Sequence, residues 1–114
     1  MRIAQVAPPW LAVPPAGYGG IEQIVGLLAK GLQQRGHQVT LFAPEGSRSQ
    51  ATVVSPLPPA GPAQIGDVWF EAQHTTAAYL DRREFDVIHD HTLLGTALAA
   101  VRGGPPVVHT LHGP

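Results

Sequence analysis

The sequence predicts an α/β fold, a doubly wound parallel sheet of about four to five strands in three α/β/α layers. Three observations predict it. Short apolar, strand-like runs alternate with stretches of helical period along the chain. Hydrophobic residues make up 44% and charged residues only 13%, so much of the chain is destined for burial. Its 114 residues suffice for one core and not for two.

The elements follow in order. "RIAQVA" (2–7) is a short strand, ended by Pro8 and Pro9. From Ile21 the period changes, and Ile21, Ile24, Val25, Leu28 and Leu32 fall on one helical face. Lys30 and Arg35 suit the C-terminal end of that helix, and Gly36 suits its left-handed stop. "HQVTLFA" (37–43) is a second strand, and the proline-rich stretch 44–64 is mostly loop around a brief third strand, "ATVVS". Helical spacing returns over 67–80 through Val68, Trp69, Ala72, Thr76 and Leu80, with Asp67 as N-cap. "DVIHDH" (86–91) is a strand, and Thr92 caps a helix through Leu93, Leu94, Ala97, Leu98 and Val101. Gly103 and Gly104 stop it before a final strand, "PVVHTLH". No helix follows that strand, which predicts that residues 1–114 are a single but incomplete domain.

Composition removes several classes of function. A net charge of −1 with scattered Lys and Arg offers no basic patch for nucleic acid. With no cysteine there is neither a disulfide framework nor a thiolate metal site, which fits a reducing compartment. The N-terminus matches neither a signal peptide nor a membrane span, so a cytoplasmic location is expected.

"PPAGYGGIEQ" (14–23) runs through Gly17, Gly19 and Gly20 into the first helix. A dinucleotide fingerprint requires a third glycine where Glu22 stands, and the loop from Val6 to Ile21 is far longer than a tight turn. A Walker loop fails for want of Gly-Lys-Ser/Thr. What survives is Gly19-Gly20 at a helix N-terminus, which either meets a phosphate or only turns the chain while Glu22 complements the dipole. Trp10 and Tyr18 flank this loop and are placed to stack on a ligand or to pack.

Histidines gather where two strands finish: His89 and His91 in "HDH", and His109 and His112 in "HTLH". In open parallel sheets the carboxyl ends of the strands line the ligand crevice, which puts these residues and the glycine loop on one edge. Alternation sets Val87, His89 and His91 on one side of their strand and Val108, Thr110 and His112 on one side of theirs. The later residues, His91 and His112, are expected nearer the opening, with His89 and His109 deeper as core histidines. A His-x-His zinc site lacks support from HExxH or cysteine, so no metal site is expected. A serine hydrolase lacks a nucleophile elbow, since Ser47, Ser49 and Ser55 all lie in the proline-rich loop.

Taken in order, "MRIAQVAPP", "GYGGIEQIVGLLAKGLQQRGHQVTLFAP", "FDVIHDHTLLGTALAA" and "PPVVHTLHGP" resemble the N-terminal domain of retaining GT-B glycosyltransferases. The resemblance is to the large family that includes sucrose and bacterial mannosyl transferases. It implies two Rossmann-like domains facing across a cleft, the second holding a nucleotide-diphosphate sugar through a basic pair and a Glu-x7-Glu motif. Neither that motif nor that domain is present, so the resemblance implies that the chain alone is inactive. It further implies that Gly19 and Gly20 present N–H groups to the donor diphosphate and that His112 lies beside the reacting centre. Glu22, His91 and Tyr18 fall on the acceptor side, where a carbohydrate, lipid or small molecule is received. No cofactor or metal is implied, and peripheral membrane contact and self-association of the truncated domain are compatible with it. The competing reading is a non-catalytic Rossmann-like binding module or partner subunit for a sugar phosphate or nucleotide.

Overall fold

The computed structural model describes residues 1–113; Pro114, the last residue of the fourth motif, lies outside them. The elements are β1 (Arg2–Val6), α1 (Gly20–Gln34), β2 (Gln38–Phe42), β3 (Thr52–Val54), α2 (Val68–Tyr79), β4 (Val87–Asp90), α3 (Gly95–Val101) and β5 (Val107–His109). The five strands form one parallel sheet in the order β3-β2-β1-β4-β5, the expected α/β, Rossmann-like arrangement. No helix among the described residues is long and apolar enough to cross a membrane.

Two cores sandwich the sheet. On one side α1 lays Val25 and Ala29 over Ile3, Ala7, Val39, Leu41 and Ala43. On the other, α2 and α3 cover Ala4, Val6, Phe42 and Ile88 with Ala78, Tyr79, Leu98 and Ala99. Burying Leu41 and Phe42 completely stabilises the fold by about 1.5–3 kcal/mol each. The α1 side of β4 and β5 carries no helix among the described residues, and Val108 there is 52% exposed. The chain leaves β1 toward β2 and returns through α2 to β4 on its other flank, so the crevice opens at the carboxyl ends of β1 and β4.

The apolar face expected for α1 is kept at Ile21, Val25 and Leu32, which pack on the core with Leu28 half-buried, and misses only at Ile24; α2 is rotated from its expected face. In α1 the inward line is Glu22, Val25 and Ala29, while Ile24 is 47% exposed and Leu27 69%. Gly36 does end the run with φ 90°, but Lys30 falls before the last turn and Arg35 is the C-cap. In α2, Val68, Trp69 and Leu80 lie outside, and Phe70, Glu71, His74, Thr75, Ala78 and Tyr79 point in. Polar residues on the inner surface have tasks that hydropathy does not weigh: the His74 Nε2–H donates to the Ala7 carbonyl at 2.8 Å. Trp10 stacks on Phe70 with centroids 6.0 Å apart, so it packs. Asp67 caps α2 as its position predicts, accepting from the Trp69 N–H.

Two further boundaries move. The helix expected from Thr92 begins at Gly95, because Thr92 Oγ1 accepts the Gly95 N–H in a preceding turn. β5 is three residues, not seven, so His112 stands on the segment beyond it.

The turn after β4 is built around Asp90. This carboxylate has no solvent exposure; it accepts from the Tyr79 hydroxyl at 2.5 Å and from the Thr92 N–H at 2.7 Å. A Cβ on Gly95 would stand 1.6 Å from Asp90 Oδ2, so only glycine passes there. Arg102 lies over the Tyr79 ring at 5.5 Å. Urea unfolding is expected to show Tyr79→Phe costing about 1–3 kcal/mol, the penalty of a buried acceptor left short of a donor. Gly95→Ala should cost more than ~3 kcal/mol or abolish folding, and a Gly95→Ala protein as stable as wild type contradicts this packing.

Candidate functional site

At the crevice, the loop after β1 turns into α1 at Gly19, whose φ of 148° is glycine territory. A Cβ at Gly19 would also sit 2.8 Å from Pro15 Cβ and 2.9 Å from Glu22 Oε1. Gly20, the first helical residue, has open space where its side chain would be, as has Gly17. The Gly19 cap brings no side-chain bond, and among the described residues the N–H groups of Gly20 and Ile21 find no acceptor. Unpaired N–H groups on a helix N-terminus carry partial positive charge toward the crevice.

Glu22 turns inward and is only 4% exposed. Burial raises its carboxyl above the usual range, while its own backbone N–H and the nearby His112 pull it back. Tyr18 projects into solvent with 95% exposure and joins no contact of the site. A groove of about 540 Å³ opens on the outer flank of the same loop, walled by Pro14, Pro15 and Leu27 with Lys30 and Arg48 at its rim. Another cavity of about 480 Å³, among Arg2, Gln38 and Glu84, lies at the amino ends of the strands, remote from this edge.

The histidines form a column. Ring centroids of His89 and His91 are 4.2 Å apart, and His112 stacks on His91 at 5.2 Å with 23° between planes. His91 Nδ1 and His112 Nε2 share a hydrogen bond of 2.9 Å, and His91 Nε2 meets Gln5 Oε1 at 2.8 Å. Gln5 Nε2 reaches His89 Nδ1 at 3.3 Å, and His89 Nε2 meets Thr110 Oγ1 at 2.7 Å. Gln5 itself, midway along the central strand, has no solvent exposure.

The depth order is the reverse of the one expected from position along the strand. His91 is 4% exposed, whereas His89 is half-buried, because His112 folds back over His91 from beyond β5. His89 is satisfied, as a core histidine should be, but His109 Nδ1 is buried without a partner among the described residues. The structure thus brings Glu22, His91 and His112 together with Gly19 and Gly20 beside them, and leaves Tyr18 apart. Sequence reasoning missed Gln5 and Thr110, whose partners lie far along the chain and leave no local pattern. Among the described residues no three His, Asp or Glu side chains are grouped to hold a metal ion.

Burial, followed by the neighbouring rings, pushes His91 down to about 3. Burial likewise lowers His89 and His74 from 6.5. A histidine whose native pKa lies below its unfolded one is protonated first in the unfolded chain, so its stabilisation is complete above 6.5 and lost as pH falls toward 3. Glu22 and Glu71, raised by burial, act oppositely just above 4.5. Urea midpoints measured across this range should therefore fall on acidification from pH 6.5, and His91→Gln should flatten that fall. An unchanged pH dependence in His91→Gln contradicts the buried, neutral ring.

The chain matches known proteins over nearly all its length. The family model described as Glycosyltransferase Family 4 covers residues 18–114. Among solved structures it resembles AviGT4, a glycosyltransferase involved in avilamycin A biosynthesis, with 28% identity and a TM-score of 0.60. That match covers 95% of this chain and 31% of AviGT4, so the chain spans about a third of that enzyme's length. No curated protein sequence matches it. A parallel sheet in Rossmann-like order, an open helix N-terminus at its crevice, and the family match over residues 18–114 lead to one assignment: the chain belongs to glycosyltransferase family 4.

Proposed function

We propose that residues 1–114 are the N-terminal, acceptor-side part of a GT-B glycosyltransferase that moves a sugar from a nucleoside-diphosphate sugar to an acceptor with retention of configuration. The observation that supports this most is the open N-terminus of α1 at the crevice, with Gly19 turning into the helix and the buried first-turn Glu22 near His112 of the histidine column. Departure of a nucleoside diphosphate builds negative charge, and helix-end N–H groups stabilise such charge without needing a metal. In this reading Gly19 and Gly20 present the loop backbone to the donor diphosphate, and His112 stands beside the transferred sugar. Glu22 and His91 form the acceptor side, and Tyr18 is free to stack on an acceptor ring.

The donor itself would be held by a second domain of the cytoplasmic enzyme, so the 114 residues alone are expected to be inactive. Titrating the isotope-labelled chain with UDP and with GDP should shift the Gly20 and Ile21 amides and the His112 ring at millimolar nucleotide. Shifts confined to other surfaces would remove the diphosphate assignment. Incubation with UDP- and GDP-sugars should yield no transferred sugar, and measurable transfer would refute inactivity of the isolated chain. Exposed Leu27, Trp69, Leu80 and Val101 should make the chain self-associate with rising concentration. A sharply melting monomer in sedimentation counts against that.

A further inference from the structure

Gln5 is a polar side chain in the middle of the central strand, flanked in register by Leu41 and His89, with no access to water. Such a group must find its partners inside the protein. Its two ends are chemically unlike: Oε1 only accepts and Nε2 only donates. That difference propagates through the column.

With Oε1 facing His91, the His91 Nε2 must carry the hydrogen and donate it at 2.8 Å. His91 is neutral, held so by its burial, so its Nδ1 carries a lone pair and accepts from His112 Nε2–H at 2.9 Å. On the other arm, Gln5 Nε2 donates to His89 Nδ1, which leaves His89 Nε2–H to donate to Thr110 Oγ1. One amide thereby assigns the tautomers of two rings directly and of a third through its neighbour.

We infer that Gln5 is a positioning residue: acting through His91, it commits the Nε2–H of His112 to the column and leaves Nδ1 as the nitrogen that accepts a hydrogen bond from a hydroxyl of the bound sugar. The assignment of that hydroxyl rests on the reading of His112 given under Proposed function; the tautomers do not. Glu22 faces His112 from α1, His91 and His89 line the column from β4, and neither Glu22 nor Asp90 bonds to the column's nitrogens. Turning the Gln5 amide over reverses every donor along the column and makes His112 Nδ1–H a donor instead. The two arrangements are therefore distinct chemical states of the site, and they present opposite hydrogen-bonding faces to a substrate.

Ring-nitrogen NMR of the 15N-histidine-labelled chain at about pH 8, where an ordinary histidine is neutral, reads the tautomers directly. The expected result is a single Nε2–H form for His89, His91 and His112. A single Nδ1–H form at His91 and His112 would overturn the proposal in the wild-type chain alone, whether or not any variant folds. In Gln5→Met, close in size but without donor or acceptor, the single tautomer of His91 should be lost and the His112 ring signals should shift. A folded Gln5→Met chain with His91 and His112 unchanged would overturn it as well. Binding of UDP or GDP at the Gly20 amide is read in a separate titration, so failure of the donor-site reading leaves this result standing, and the reverse.

Discussion

The turn after β4 depends on one buried carboxylate. Asp90 has lost all contact with water, and an uncompensated charge there would cost several kcal/mol. It is compensated from two directions, by the phenol of α2 and by the backbone of the turn into α3, and the next element can pass only because Gly95 has no side chain. Burial and the carboxylate together raise the Tyr79 phenol well above its ordinary range, which keeps it a donor. The same carboxylate fixes the angle at which β4 ends. Because strand side chains alternate, anchoring Asp90 on the helical side aims His89 and His91 at the other. The structural polar group and the chemical ones are neighbours in sequence and back to back in space.

Much of the architecture was legible because strands and helices announce themselves by period. The alternation of elements, the parallel sheet, the Asp67 cap and the Gly36 stop all follow from local chemistry. The inward face of α1 was legible apart from Glu22 and Ile24, whereas that of α2 was not, for a physical reason. Apolar spacing locates the core side only when the core side is apolar, and here α1 buries Glu22 and α2 buries Glu71, His74 and Thr75. Glu71, for example, accepts the Leu94 N–H at 3.1 Å, tying α2 to the entry of α3. Val68, Trp69 and Leu80 were left outside by that rotation of α2, and Ile24 lies at the edge of the α1 face.

The site divided along similar lines. Glycines before a helix and histidines at strand ends could be seen, since both are local signals read against a topology. Gln5 could not be seen, because its bonds to His89 and His91 span 84 and 86 residues and a lone glutamine in an apolar strand has no periodic signature. Depth was misjudged for a related reason. Counting along β4 places His91 nearest the opening, but depth is set by what covers a ring, and His112 arrives from beyond a strand shorter than its sequence suggests.

The sheet is clothed unevenly. Above β1 and β2 lies α1, while the same side of β4 and β5 has no helix among the described residues. The histidine column stands along that border, with His91 sealed at its middle and His89 and His112 half-buried at its ends. Labile hydrogens can therefore trade with the solvent at either end without any strand parting or helix unfolding. Of the two end rings only His112 shares a hydrogen bond with the sealed one, since the link from His89 runs through the Gln5 amide. The two ends of the column are thus unequal: one bonds to His91 directly, and the other is insulated from it by a side chain that does not titrate.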